Sequence, residues 1–433
     1  MFESFKQIFK QKELRSKLIY TLVVIIFFRL GCAITVPFLN PTALTDMVGA
    51  GQSSDFLSYL NVLTGGALAD ASIFGLSITP YINASIIIQL LTIAIPALER
   101  LAKEGNDGQK KIQRITRYTT LGLSIAMGIM YYFVLRNKDG VLNYYSGFSG
   151  IFSAIVIVAC FVAGTMLVMW MGDQITEHGV GNGISIILFA GILSRGPDAF
   201  MTLAAWWKLG SEEPKYYFIV PLIVIVFIAM IAFIVFMTNA ERRIPVSYAK
   251  RVVGRKMYGG QSTFIPIKVN MTGVLPIIFA MSFMSLPSMI ESFVTPAQGG
   301  FWEKFFSLFH YNNMIYGVLY FLLILAFNYF YTAIQFNPVE IANSIRKNNG
   351  AIPGIRPGKP TVDYFSKVIS KITFMGAIFL GLIAVFPIIF SMITKANVSL
   401  GGTSILIVVG VALETVRTLE SQVTMRHHKG FLE

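Results

Sequence analysis

The sequence predicts an all-α polytopic membrane protein, and three observations carry this prediction. Of the 433 residues, 55% are hydrophobic and 13% are charged, whereas about 25% are charged in a typical soluble domain. Apolar runs recur along the whole chain at the length of about 20 helical residues that crosses the hydrocarbon core. Lys and Arg are concentrated in every second connection between these runs. No large soluble domain fits between the spans.

The first apolar run follows a basic N-terminal stretch and has no small-residue cleavage site after it, so we expect an uncleaved first span. Nine further spans follow it, of which the fifth is short. The predicted spans are 18–36, 78–94, 118–135, 151–171, 184–193, 216–237, 274–293, 314–334, 372–393 and 403–423.

The basic residues predict the orientation, because cytoplasmic loops carry an excess of Lys and Arg. An even number of spans places both termini on the same side. With the termini in the cytoplasm, 27 of the 35 Lys and Arg lie in cytoplasmic segments and 7 lie in exterior ones. We therefore expect a multi-pass protein with both termini cytoplasmic, and the net charge of +13 follows from this asymmetry.

The stretch 60–91 contains a weakly apolar part rich in Gly and Ala, followed by an apolar helix interrupted at Pro80. Neither part alone is a typical membrane span. Non-spanning backbone at membrane depth is tolerated only where it is buried in protein or lines a cavity. We expect a short re-entrant helix folded into the protein, followed by the second span.

The ten spans divide into two sets of five. The N-terminal half is 1–197, the exterior connection is 198–215, and the C-terminal half is 216–433. The second helix of each half has a proline near one end, Pro80 and Pro276. Paired interrupted helices indicate repeats related by a pseudo-two-fold axis, with the functional site between them.

Two cytoplasmic loops are large and basic. Loop 239–270 contains RRIPVSYAKRVVGRK, and its glycines and β-branched residues predict a projecting, hairpin-like form. Loop 337–363 contains SIRKNNGAIPGIRPGK, in which prolines and glycines form a turn that presents Arg356. Interaction with anionic lipid is the alternative explanation for these charges, although lipid binding does not require a rigid turn around one Arg.

The sequence offers little reactive chemistry. The spacing of Gly179, Gly181 and Gly183 resembles a dinucleotide-binding fingerprint, but no strand precedes it. We predict no catalytic residue, no metal site and no cofactor. Bulky aliphatic residues would instead lie at the centre of the two halves, where they form either a hydrophobic constriction or ordinary helix packing. They are Ile82, Ile86, Leu188, Ile278 and Ile407.

Six motifs follow one another along the chain: GGALADASIFGLSITPYINASIIIQLL, GQKKIQRITRY, MWMGDQITEHGVGNGISI, YAKR with GGQSTFIPIKVN, IPGIRPGK and GGTSILIVVGVALE. Through these motifs the chain resembles, from about Lys17 to Phe431, the SecY family, the central subunit of the bacterial protein-conducting channel. The resemblance implies ten helices in two clamped halves around an hourglass pore, in the bacterial cytoplasmic membrane.

The resemblance also implies roles for particular residues. The aliphatic set above becomes the pore ring, in which Leu188 replaces the more usual isoleucine. The plug is about 61–73, and the lateral gate lies between the second and third spans and the seventh and eighth. The plug residues are Asn61, Thr64, Gly65, Gly66, Ala67 and Asp70; the polar gate candidates are Asn83, Gln89 and Asn270; the docking residues are Arg242, Arg243, Lys250, Arg251 and Arg356.

The implied activity is passage of unfolded secretory polypeptides across the membrane and lateral release of transmembrane segments into membrane lipid. The implied partners are the small subunits SecE and SecG, the motor ATPase SecA, the ribosome with its RNA, and signal peptides and nascent polypeptides. Two alternatives come from other classes. An inverted-repeat secondary solute transporter requires a midplane ion or substrate site, and an intramembrane enzyme requires clustered carboxylates or His.

Overall fold

A computed structural model describes most of the chain. The described residues are 11–49, 61, 64–136, 140–142, 144, 147–211, 213–248, 251–253, 256–258, 262–291, 300–310, 313–394 and 402–427.

The described chain is predominantly helical, with five short strands. The first eight helices are α1 (Lys12–Cys32), α2 (Pro41–Gly49), α3 (Thr79–Ala94), α4 (Pro96–Lys103), α5 (Asn106–Arg136), α6 (Gly147–His178), α7 (Gly183–Leu193) and α8 (Gly196–Leu209). The remaining helices are α9 (Lys215–Asn239), α10 (Leu275–Glu291), α11 (Phe301–Ser307), α12 (Met314–Gln335), α13 (Pro338–Lys347), α14 (Lys359–Thr394) and α15 (Gly402–His427). The strands are β1 (Glu241–Tyr248), β2 (Arg251–Val253), β3 (Lys256–Tyr258), β4 (Ser262–Lys268) and β5 (Gly350–Ala351).

Each of the ten predicted spans coincides over most of its length with a helix. Within the described ranges, six helices are long and apolar enough to cross a membrane, or seven if α3 and α4 count as one bent span. The short fifth span is explained by α7 and α8, which together form a 27-residue candidate span from Gly183 to Leu209. The predicted all-α membrane fold is confirmed.

The chain forms two compact units. Unit 1 contains Met1–Lys208, Met284–Tyr311 and Val411–Glu433, and unit 2 contains Leu209–Phe283 and Asn312–Gly410. The two pseudo-symmetric halves expected from the sequence stay a prediction.

Glycines let the helices of unit 1 approach one another closely. A Cβ at Gly183, at the start of α7, would overlap the carbonyl oxygen of Gly172 on α6. Asn182 caps α7 by accepting hydrogen bonds from the backbone N–H groups of Ile184 and Ser185 at 3.1 and 3.4 Å, as Asn does at many helix N-termini. The glycine-rich run after α6 is therefore a tight corner between two helices.

The helix α3 ends at Ala94, and α4, which begins at Pro96, turns away from it by 101°. Gly105 has a φ of +80°, and a Cβ at Gly108 would overlap the carbonyl oxygen of Leu101. Because only glycine fits at Gly108, α4 folds back tightly on the start of α5.

In unit 2, β1 pairs with β4 from Glu241↔Lys268 to Ser247↔Ser262, which confirms the predicted hairpin-like form of loop 239–270. The second basic loop joins the same sheet, because β5 pairs with β1 at Ser247↔Ala351 and Tyr248↔Gly350. The sheet order is β4-β1-β5. We call β1, β4, β5, α13 and the turn 353–358 the basic platform.

The inner face of the basic platform packs on the N-terminal part of α14. The core of this contact consists of buried aliphatic and aromatic side chains. They are Ile244, Val246, Ile267, Ile345, Ile352, Phe365, Val368, Ile369 and Ile372.

The short re-entrant helix expected before the second span is replaced by successive turns over residues 64–78, which we call the turn segment. Four of its residues have positive φ, namely Gly65 (+66°), Gly66 (+93°), Ala71 (+52°) and Ser77 (+47°). A right-handed helix requires negative φ at every residue, so these four positions exclude a continuous helix. Residues 50–60 lie outside the described ranges.

Candidate functional site

The predicted plug folds around Asn61, which is 4% exposed. The backbone N–H of Gly66 donates to the Asn61 carbonyl oxygen at 2.9 Å, and the N–H of Ala69 donates to Asn61 Oδ1 at 3.1 Å. Thr64 is fully buried, and its hydroxyl accepts from the N–H of Leu68 at 3.4 Å. A local network thus satisfies backbone groups that have no helical or strand partner.

The turn segment lies directly on α7. A Cβ at Gly65 would overlap the carbonyl oxygen of Gly191, whereas a Cβ at Gly66 would meet only Arg195 Nε, at 4.0 Å. Leu188 lies three residues before Gly191, and positions three apart share a helix face. The predicted plug therefore sits on the α7 face that carries Leu188, one turn farther along the helix.

The second part of the turn segment is fixed between helices. The N–H of Val36 donates to Ala71 O at 2.8 Å, and the N–H of Ile73 donates to Ile34 O at 3.0 Å. A Cβ at Gly164 on α6 would overlap Ile73 O, and one at Gly31 on α1 would overlap the ring of Phe74. Residues 71–74 are thus a close-packed anchor, in contrast to Asp70, which is exposed.

The predicted pore-ring residues are divided between the two units. Ile82 (8% exposed) and Ile86 lie one turn apart on α3, and Leu188 (5%) lies on α7; all three belong to unit 1. Ile278 (5%) on α10 and Ile407 (2%) on α15 belong to unit 2. Their assembly into a single ring stays a prediction.

Each polar candidate for the lateral gate has an unsatisfied amide oxygen. Asn83 and Gln89 lie on α3, and Asn270 precedes α10. The side-chain oxygen of each is buried and has no hydrogen-bond partner in the part of the chain that the structure describes. Since buried polar atoms are nearly always paired, such exceptions call for an explanation.

The predicted docking residues belong to the basic platform or its neighbourhood. Arg242 and Arg243 are exposed on β1, and Arg243 Nε is 2.7 Å from Glu241 Oε1. Arg356 is exposed between Gly354 (φ +82°) and Gly358 (φ +110°), and its carbonyl oxygen accepts a hydrogen bond from the Thr361 hydroxyl at 2.9 Å. Lys250 lies outside the described residues, and only the backbone of Arg251 in β2 is described.

Sequence reasoning missed the partners of the turn segment. Gly31 and Gly164 each allow a helix to approach this segment at a distance that no larger residue permits, and the backbone of Gly191 is the partner of Gly65. In the sequence each of them is a glycine inside an apolar helix. Glycine there destabilises the helix relative to alanine, so its presence indicates a close packing contact. The sequence alone does not show which segment each glycine faces.

The site shows apolar surface and tight backbone contacts. In the ranges that the structure covers, no group of three or more His, Cys, Asp or Glu could hold a metal ion. Buried aliphatic side chains can exclude water and ions from a passage. Aliphatic side chains themselves carry no hydrogen-bond donor or acceptor with which to select a small solute.

Comparisons with known proteins agree with this picture. The SecY family model matches residues 72–416. The protein translocase subunit SecY of Streptomyces galbus is 41% identical over 449 residues, covering 100% of both chains.

Two solved structures share the fold. One, described as the structure of a protein conducting channel, has a TM-score of 0.61 at 16% identity and covers 94% of this chain and 92% of that chain. The other is Sec61 in the canine ribosome-channel complex from the endoplasmic reticulum, with a TM-score of 0.58 at 14% identity, covering 94% and 92%.

Proposed function

The chain belongs to the SecY family, and we propose that it is the channel through which unfolded secretory polypeptides cross the bacterial cytoplasmic membrane. Transmembrane segments would leave the same channel sideways into lipid. The observation that carries this proposal is the turn segment, which is non-helical backbone inside a helical membrane protein. Backbone of this kind persists at membrane depth only where protein or a cavity surrounds it.

The turn segment supports the role of a plug. Its first part, 64–70, is held by its own hydrogen bonds and by the contact of Gly65 with Gly191. Its second part, 71–74, is held between α1, α6 and the connection that follows α1. We infer that opening displaces the first part, whereas the second part stays in place as its tether.

The aliphatic residues support a seal that does not select its substrate. Ile82, Ile86, Leu188, Ile278 and Ile407 would form the ring, in which flexible apolar side chains fit around any passing polypeptide. A ring of this chemistry excludes water and ions by dewetting. These five side chains carry no polar group, which speaks against their forming the polar midplane site that a solute transporter needs.

The unpaired amide oxygens of Asn83, Gln89 and Asn270 support the lateral gate. A buried oxygen without a partner costs about 1–3 kcal/mol, and this cost is removed when a partner or water arrives. We infer that these residues gain hydrogen bonds in another state of the gate, when a signal peptide or lipid enters it.

The basic platform would lie in the cytoplasm and bind the partners that drive transport. Arg242, Arg243, Lys250, Arg251 and Arg356 suit the ribosome, because cations that neutralise RNA phosphates gain from counterion release. They also suit SecA, the proposed motor, while SecE and SecG would be bound within the membrane. The channel itself would not be an enzyme, and both termini would be cytoplasmic.

Reconstitution tests the proposal directly. Vesicles that contain the chain with SecE and SecG, supplied with SecA and ATP, should protect a preprotein from external protease. A disulfide that joins the second and seventh spans should stop this transport, and reduction should restore it. Protection no greater than in vesicles without the chain would contradict the channel function, and full transport with the disulfide closed would contradict the lateral gate.

Deletion of 61–73 tests the plug separately, by the conductance of the channel without substrate. We expect the deletion to raise ion leakage, because the segment that covers the Leu188 face of α7 is gone. Unchanged leakage would contradict sealing by this segment without affecting the transport result.

A further inference from the structure

A buried asparagine on α12 connects three parts of unit 2. Asn328 is 3% exposed, and its Oδ1 accepts a hydrogen bond from the hydroxyl of Thr272 at 2.6 Å. Its Nδ2 donates to the carbonyl oxygen of Thr373 on α14 at 3.0 Å. Thr272 is 4% exposed and lies in the connection 269–274, between β4 and α10.

The same connection is held at further points, although it is neither helix nor strand. The N–H of Val269 donates to Ala240 O at 2.9 Å. Gly376 on α14 faces Val269 so closely that a Cβ there would lie 2.5 Å from the Val269 carbonyl oxygen. Met271 packs on the core of the basic platform. The connection that leads into α10 is therefore fixed at Val269 and Met271 as well as at Thr272.

We call the start of α10 its base. Beyond the base, α10 contacts α12 through aromatic side chains. The ring of Phe279 lies 6.0 Å from that of Phe327 and 5.7 Å from that of Tyr331, measured between centroids, and the Phe283 and Phe327 rings are 6.4 Å apart. Ring contacts are not directional to the degree that a hydrogen bond is, so they tolerate sliding. The base of α10 is thus held by hydrogen bonds and its body by adaptable apolar contacts.

We propose that Asn328 is a positioning residue that pins the base of α10 and thereby sets how strong a signal peptide must be to open the lateral gate. This inference rests on the proposed function, in which α10 is the seventh span and one side of the gate. A ligand shifts a two-state equilibrium only by its difference in affinity for the two states. If the pinned base favours the closed state, a loosened base lets a weaker signal peptide open the channel.

The hydrogen bonds of Asn328 can hold the base of α10 in one position, because the buried side chain cannot exchange its protein partners for water. A buried amide is costly unless it is bonded, so the network favours one arrangement of the connection. Hydrogen bonds between membrane helices have modest strength. Removing this one should therefore change gate opening about threefold to tenfold and leave the channel assembled.

Two variants remove the contact from opposite ends, Asn328→Leu and Thr272→Val. Each is reconstituted with SecE, SecG and SecA, and transport is measured for one preprotein with an intact signal peptide and one with a weakened signal peptide. We expect the ratio of weakened to intact transport to rise about threefold to tenfold in both variants. Hydrogen exchange of the backbone amides of 269–274 in nanodiscs should become faster.

Two matched controls isolate the contact. Thr272→Ser keeps the hydroxyl and should behave as the wild type. Thr332→Val lies one turn from Asn328 at the same 3% exposure, and it removes a hydroxyl that donates to the Asn328 backbone oxygen within α12, at 2.8 Å. It should leave the transport ratio and the exchange of 269–274 unchanged.

The outcomes separate this inference from the proposed function. Wild-type vesicles that transport neither preprotein would contradict the channel function itself. Wild-type transport with an unchanged ratio in Thr272→Val would overturn the role of Asn328, even if Asn328→Leu fails to fold. Equal loss of transport for both preproteins in the two variants would also overturn it, because this is the result of general destabilisation.

Discussion

The turn segment and the basic platform are both non-helical regions of a helical protein, and they satisfy their backbone groups in different ways. The turn segment has four positive φ values and is bonded to Asn61, Ile34 and Val36 or packed against helix glycines. The basic platform uses an antiparallel ladder, with Ile244 and Val246 buried and the intervening residues exposed.

This difference shows how each region can work. The turn segment depends on shape, because three of its contacts are places where only glycine fits. The basic platform depends on charge, because its arginines are exposed on a sheet whose backbone is already satisfied. Steric changes should therefore affect the first region, and charge changes the second.

Charge reversal at Arg356 should have the largest effect. Arg356→Glu places a negative charge on the exposed turn between Gly354 and Gly358, and we expect it to abolish SecA-driven transport in reconstituted vesicles. Membrane insertion of the channel should stay intact, because the side chain contributes nothing to the platform core. Transport of a protease-protected preprotein, together with the amount of channel in the vesicles, measures both effects.

Two controls test whether position or charge alone decides this result. Arg356→Lys keeps the charge, so it should retain part of the transport. Arg346→Glu makes the same charge change on α13, away from the turn, and should have a much smaller effect. Equal loss in Arg346→Glu and Arg356→Glu would show that the platform acts only through its net charge.

A steric change in the turn segment should have the next largest effect. Gly65→Ala places a methyl group against the Gly191 carbonyl oxygen, so we expect residues 64–70 to move off α7 and ion leakage through the idle channel to rise about tenfold. Planar bilayer conductance without a substrate measures this leakage.

Gly66→Ala is the matched control, because it also places an L-residue at positive φ but without the steric overlap. Both positions have positive φ, which costs an L-residue roughly 1 kcal/mol, but Gly66 faces only Arg195 Nε at 4.0 Å. Its leakage should stay near that of the wild type. Equal leakage in the two variants would mean that backbone strain, and not the contact with α7, controls the seal.

The sequence predicted the basic platform better than the turn segment. Hydropathy and turn residues were sufficient for the spans, the hairpin-like loop and the exposed turn at Arg356, because these are local properties. The pairing of β5 with β1 and the contact of Gly65 with Gly191 were missed, since they join residues far apart in the chain. Asn328 was also missed, although a lone Asn in the apolar run LILAFNYFY indicates a buried polar contact.

The smallest predicted effect distinguishes the two faces of the basic platform. Arg242 and Arg243 are neighbours on β1, so their side chains point to opposite faces of the strand. Arg243 is already paired with Glu241 at 2.7 Å, and its guanidinium lies 4.8 Å from the centroid of the Phe264 ring. No ion pair of Arg242 occurs among the described residues. A phosphate that binds Arg243 would therefore displace its contacts with Glu241 and Phe264. A phosphate that binds Arg242 would displace no ion pair within the described residues.

Ribosome binding at several salt concentrations measures the difference. Each cation that neutralises a phosphate adds about one to the slope of log affinity against log salt. Arg242→Gln should reduce that slope by about one, and Arg243→Gln by clearly less, because Glu241 already neutralises its guanidinium. If Arg243→Gln has the larger effect, RNA meets the opposite face of β1, and Glu241 and Phe264 hold that guanidinium in position for it. If neither variant alters the slope, the ribosome does not bind through β1, and Arg356 must be tested alone.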